Sequence, residues 1–281
     1  MSKQLKKYHN IRKTFKNNSL FDFINILLSR LTNGRVDFRP SSSVGKYRLE
    51  LSIRVAKMMN YTVHYGIFKG LILSKEEFWS QKDLGGKLLG IYEFEIQNLL
   101  SSIQKRRRST LIDVGGADGF YAVGSLVNNL FDNCICFELT EKGRTSLERT
   151  AIDNGVIDRL QILGEANENS FLSVEVDFLD CVILIDIEGT EYDLLTDKVL
   201  NKLKQTELII EIHVFDEKHE LERKRLMGIV SNLFDLNIIR TSGRDFSIIN
   251  ETYHFSDTDR GILTSESRDK LGEWWHLSPK K

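Results

Sequence analysis

The sequence predicts an α/β protein built on a Rossmann-like, doubly wound, mostly parallel sheet. Three observations carry this expectation. From Thr110 onward, apolar runs of strand length alternate with amphipathic segments of helix length. The runs LIDV, CICF, CVILI and LIIEI are largely apolar rather than alternating, as strands covered on both faces are. The first run contains the acid Asp113 and passes into a tight glycine turn, Gly115 to Gly119, before a helix-like segment.

The elements follow in order. Residues 1–18 read as a solvated basic tail. In residues 19–31, SLFDFINILLSRL, the residues Leu20, Phe23, Ile24, Ile26, Leu27, Leu28 and Leu31 fit one broad helical face. That face suits packing, dimerisation or a membrane surface. Residues 33–48 read as a loop, 61–73 as a hairpin and 84–104 as one helix. Strand 110–114 then leads to helix 119–130. Strand 133–138 leads to helix 140–154, which Thr140 can cap and Gly155 can end. Strand 159–163 follows, then strand 180–187 with helix 190–204, strand 207–214 with helix 217–233, and strand 236–241. A last strand is expected around Trp274 and Trp275. Three regions result: a basic extension with an amphipathic helix over 1–60, a lead-in over 61–108, and the main domain over 109–281.

Composition narrows the function. The chain has 281 residues, 41% of them hydrophobic, and no apolar run approaches the roughly 20 residues of a membrane span. Its N-terminus lacks a secretory pattern. Three cysteines without a Cys-x-x-Cys pair fit reduced thiols in a cytoplasmic protein. The net charge of −1 hides an asymmetry, +10 over residues 1–60 and −11 over the rest. The basic arm suits an anionic partner or peripheral contact with the inner face of a membrane.

The chemistry gathers at strand ends. Asp-x-Gly-x-x-x-Gly at 113–119 differs from the Gly-x-Gly-x-x-Gly of dinucleotide sites, and no Lys-Ser/Thr follows it as in a phosphate loop. Glu138, 19 residues beyond Gly119, ends the second strand, where a carboxylate can accept ribose hydroxyls. Glu165 follows the third strand. Asp186 and Glu188 lie two apart, as do Glu211 and His213, so each pair shares a face if its strand persists. That much buried negative charge is costly without a purpose. One purpose is to orient a hydroxyl whose proton His213 removes. Another is a divalent metal held by Asp186, Glu211 and His213.

Asp-x-Gly-x-x-x-Gly resembles motif I of class I S-adenosylmethionine-dependent methyltransferases, a likeness that implies contact between Glu165 and an adenine amino group. More specifically, VILIDIEGTEYDLL resembles the Ile-Asp-x-Glu-Gly-x-Glu signature of the FkbM methyltransferase family. IIEIH resembles that family's next strand, and DVGGADGFYAVG its first motif. YGIFKG and KLLGIYEFEI are similar to its lead-in, so the likeness covers about residues 61–215. It implies the class I methyltransferase sheet, with an antiparallel strand near the C-terminus. It also implies S-adenosylmethionine as cofactor and O-methylation of a sugar, glycan, glycolipid or similar small hydroxylated metabolite, in polysaccharide or natural-product pathways. Carried across, Asp113, Gly115, Gly119 and Glu138 bind cofactor, and Glu93 reaches it. Asp186, Glu188, Glu191, Glu211 and His213 lie at the reacting site. The family's Ala-Asn after the first glycine is Gly116-Ala117 here, followed by Asp118. Two rival readings are an RNA-binding methyltransferase, suggested by the basic arm, and a catalytically silent partner that keeps the fold. An RNA substrate is disfavoured because the Asn/Asp-Pro-Pro-aromatic signature is absent. An NAD enzyme is disfavoured by its missing glycine fingerprint.

Overall fold

The computed structural model describes residues 43–75, 81–266, 268 and 271–280. The expected helix at 19–31 and the basic tail lie outside them. The chain divides into two compact units, residues 1–47 and 48–281, and the second carries the sheet.

Helix α1, Ser43–Met58, begins inside the segment expected to be a loop. Its residues Leu51, Val55 and Ala56, with Met59 beyond it, are buried in the same core as the sheet, so the compact unit starts well before residue 61. Residues 61–73 turn back through one antiparallel bridge, Thr62 to Ile72, too short to count as two strands. The expected helix 84–104 is two helices, α2 (Gln81–Leu88) and α3 (Phe94–Gln104). Gly90 (φ 67°) and Glu93 (φ 45°) break it in the left-handed region. At Gly90 any Cβ would run into the Tyr65 carbonyl, so only glycine fits beneath the 61–73 turn.

The remaining elements are β1 (Thr110–Val114), α4 (Phe120–Val127), β2 (Asn133–Phe137), α5 (Glu141–Asp153), β3 (Leu160–Leu163) and α6 (Glu168–Leu172). They continue with β4 (Cys181–Ile185), α7 (Glu191–Leu194), α8 (Asp197–Leu203), β5 (Glu207–Glu211), α9 (Glu217–Leu233), β6 (Phe234–Arg240), α10 (Asp257–Thr264) and β7 (Glu273–Pro279). Thr140 caps α5 by accepting from the Gly143 N–H, and Gly155 follows it with φ 67°. The single helix expected over 190–204 is broken, because Thr196 caps a fresh start at α8.

The sheet order is β3-β2-β1-β4-β5-β7-β6. All neighbours are parallel except β7, which runs antiparallel between β5 and β6. This is the doubly wound sheet expected from the class I methyltransferase likeness. Every residue of β1, β4 and β5 is buried. Leu111, Val182 and Leu184 face one apolar core, while Ile112, Ile183 and Ile185 face the other. Such two-sided burial explains the unbroken apolar runs. The order reverses at β1 and β4, and ligands of such sheets bind in the crevice at that switch point. No helix among the described residues is long and apolar enough to cross a membrane.

Candidate active site

Two cavities open at the carboxyl ends of the strands. The first, about 530 Å³, runs from Lys87 and Tyr92 past the glycine turn to Glu138 and Glu165. The second, about 640 Å³, is walled by Glu211, His213, Phe215 and Arg268. They share Tyr92, Asp186 and Glu188.

The glycine turn is forced by close packing of strand ends. Gly115 has φ 104°, and a Cβ there would run into the Asp186 carbonyl oxygen. At Gly116 a Cβ would run into the Cys136 sulfur. The N–H groups of both glycines donate to the Phe137 carbonyl, at 2.9 and 3.1 Å, which ties the turn to β2. Gly115→Ala is therefore expected to cost about 2–4 kcal/mol, from left-handed strain plus overpacking. Chemical denaturation checks this. Gly119 is not on the cavity wall. It starts α4 with φ 84° against Val123 and Leu147.

Glu138, just past β2, is buried and held in place. Oε1 accepts from the Thr140 N–H (2.9 Å) and hydroxyl (2.8 Å), and Oε2 accepts from the Ala117 N–H (3.2 Å). Glu165 stands exposed on the far wall. Burial, with Asp186 nearby, pushes the Asp113 carboxyl up to about 7. Glu93, also buried, accepts from the Tyr121 hydroxyl (2.6 Å) and pairs with Arg268 (2.7 Å). Burial and then Asp186 raise it as well. Asp118, the departure in the turn, is paired with buried Lys87 at 2.6 Å.

The second cavity centres on His213. Nε2 lies 3.4 Å from Glu211, 3.5 Å from Glu188 and 3.8 Å from Asp186. The strands do not bring the acids together by alternation, as expected from sequence. β4 ends at Ile185, and Glu188 reaches the site from a left-handed turn (φ 53°). Glu191 lines neither cavity. Fully buried, it accepts from the Gly189 N–H and the His213 N–H, both at 2.8 Å, and its Oε1 stands 3.5 Å from Nδ1. Burial pulls the imidazole pKa down, but Glu191, Asp186 and Glu188 outweigh it, so His213 ends raised. Burial, Asp186 and Glu93 push Glu211 up, and Arg268 opposes them by contacting it directly.

One donor atom each from Asp186, Glu211 and His213 falls within 4.8 Å of the others, two carboxylate oxygens and an imidazole nitrogen, which suits a divalent cation.

Sequence reasoning missed Arg268, Tyr92 and Phe215. Arg268 belongs to no motif. Phe215 continues the spacing of two set by Glu211 and His213, a signal that was available. His64 and Tyr65 bind Glu251, and Arg244 is buried against Glu95 and Glu266. Lys69 is exposed on the turn. None of these four lines either cavity.

No protein-family model and no curated protein sequence matches the chain. It is similar in structure to an O-methyltransferase from Bacillus cereus in complex with SAH, at 13% identity over 91% of this chain and 96% of that one (TM-score 0.46). It is also similar to a SAM-dependent O-methyltransferase from Thermotoga maritima, at 14% identity over 66% of each chain (TM-score 0.45). An rRNA methylase from Streptococcus thermophilus matches 66% of this chain and 96% of its own, at 14% identity (TM-score 0.46). Likeness this distant carries no argument about activity.

Proposed function

We propose that the chain is an S-adenosylmethionine-dependent O-methyltransferase of FkbM type, acting on a hydroxyl of a sugar, glycan or similar small molecule. The observation that carries the reading is the junction of the two cavities at Tyr92, Asp186 and Glu188. One cavity has a carboxylate at the carboxyl end of each of β1 to β4, and the other presents a histidine at that junction.

The first cavity suits the cofactor on its own chemistry. Its wall includes Gly115 and Gly116, whose turn is locked against the Asp186 carbonyl and the Cys136 sulfur with no room for a Cβ, so the cavity floor there is backbone of fixed shape. Glu138 would hold the ribose hydroxyls, Glu165 the adenine amino group, and Asp113 and Glu93 the methionyl ammonium. Bound there, S-adenosylmethionine would supply an electrophilic methyl group and the neutral thioether as its leaving group. The chain contributes alignment, a base and a complementary charge. Asp186 and Glu188 orient the acceptor, and the hydroxyl proton passes to His213 Nε2. Glu191 accepts from the His213 backbone N–H and so holds in place the residue that carries the imidazole. A second reading places a divalent cation on Asp186, Glu211 and His213 to hold the acceptor oxygen, favoured by the closeness of their three donor atoms.

Calorimetric titration with S-adenosylmethionine, S-adenosylhomocysteine and NAD tests the reading. The first two are expected to saturate one site and NAD to show no binding. Glu138→Ala, folded by thermal melt, is expected to weaken both by about 10- to 100-fold, the loss of hydrogen bonds to a charged group. Absence of binding by the unaltered chain would sink the proposal.

A further inference from the structure

The second cavity is rich in carboxylates, and most of them already have a cation. Asp83 pairs with Arg48 at 2.5 Å, Glu273 with Arg223 at 2.6 Å, and Glu266 with Arg244 at 2.7 Å. Glu211 pairs with Arg268, and Glu220 is 3.6 Å from Lys224. Asp186 and Glu188 differ. Among the described residues their ion-pair neighbour is His213 alone, which they share with Glu211 and Glu191. Asp186 Oδ1 is buried without a hydrogen-bond partner. Glu188 is 56% exposed, held at the rim by its left-handed turn.

The same cavity is lined by an aromatic ring packed against Gly189, the residue that follows Glu188. Phe215 is 64% exposed, yet it is not loose. It stacks on His213 (centroids 5.7 Å, planes at 29°) and meets His219 edge-on at 5.4 Å. Gly189 packs beneath it so closely that a Cβ there would lie 2.9 Å from the ring. A ring fixed in this way, in one cavity with carboxylates that share a single imidazole as their ion-pair neighbour, suits an organic ammonium. The cation is drawn to the ring face and its N–H groups to the carboxylate. A phosphate or carboxylate on the acceptor meets repulsion from the same groups.

We propose that the acceptor is a hydroxylated amine, an amino sugar in its simplest form, with its ammonium between the Glu188 carboxylate and the Phe215 ring and its reacting hydroxyl at Asp186 and His213. The inference rests on the methyltransferase reading for which hydroxyl reacts. The ammonium site itself does not depend on it.

The test is binding, by calorimetry, of four probes to the full chain with and without S-adenosylhomocysteine. The probes are the methyl glycosides of glucosamine, N-acetylglucosamine and glucose, together with glucose 6-phosphate. The amine is expected to bind about tenfold or more tightly than its N-acetyl and hydroxyl counterparts, and the phosphate least. Glu188→Gln and Phe215→Ala are each expected to bring the amine-to-N-acetyl ratio close to one. Equal affinity for amine and N-acetyl probe, no measurable binding of the amine, or a ratio unchanged in both variants would overturn the proposal. So would magnesium ion alone titrating the site and erasing the amine preference, since a metal then supplies the missing charge. Failure to bind S-adenosylhomocysteine while the amine preference stands would instead remove the methyltransferase reading.

Discussion

Replacing His213 by alanine is expected to lower turnover by about 10²- to 10⁴-fold, the usual contribution of a positioned general base. Cofactor affinity should be nearly unchanged. His213 lines the second cavity and not the first, which separates it from Glu138. Release of S-adenosylhomocysteine at saturating cofactor measures the first quantity, and calorimetry the second. The pH profile adds a signature that a merely structural role would lack. A base must be neutral to accept the proton, and the surrounding carboxylates raise His213 above its ordinary value of 6.5. The rate should therefore climb with pH along a limb lying above 6.5, and the limb should vanish in the variant. Equal loss of cofactor binding would move His213 out of the catalytic role.

The second large effect is expected at Arg268. Its guanidinium contacts Glu211, Glu93 and Glu266 at once. Arg268→Met keeps much of the stem but leaves those buried carboxyls short of a cation, at a cost of about 3–5 kcal/mol. The loss should widen with pH. Glu93 is raised from 4.5 to about 7, so it binds its proton more tightly when folded. Such a group favours the folded state below about pH 4.5, and that stability is lost as pH rises through about 7. Without Arg268 the folded carboxyls hold protons more tightly still. Urea denaturation of both proteins at pH 5 and pH 8 reads the difference. A pH-independent difference would mean that Arg268 acts by packing alone.

Much of the fold was legible because two-sided burial writes itself into composition. β4 and β5 read as strands since each residue needs an apolar or paired environment. Their ends were harder. The apolar pattern of ILIDI runs past Ile185, but β4 ends there, and the Asp186 carbonyl packs against Gly115 where a Cβ would not fit. Gly90 inside a helix-like stretch was equally ambiguous: a helix tolerates one glycine, and only the Tyr65 backbone beneath it requires the break. The acids at the strand ends could be named from sequence, since register places them at a common edge. Their cation could not. Arg268 lies 57 residues from Glu211 and 175 from Glu93, brought there by tertiary packing alone.

The position of β7 bears on how the molecule is assembled. Residues 273–279 insert between β5 and β6, both of which precede them in the chain. During synthesis β5 and β6 therefore emerge with open edges and no partner for one another, a state prone to pairing with other chains. The sheet closes only when Trp274 and Trp275 arrive, bringing Glu273 to Arg223 and drawing the segment that carries Arg268 over the site. The second cavity at the strand ends is thus completed only after β7 has joined the sheet.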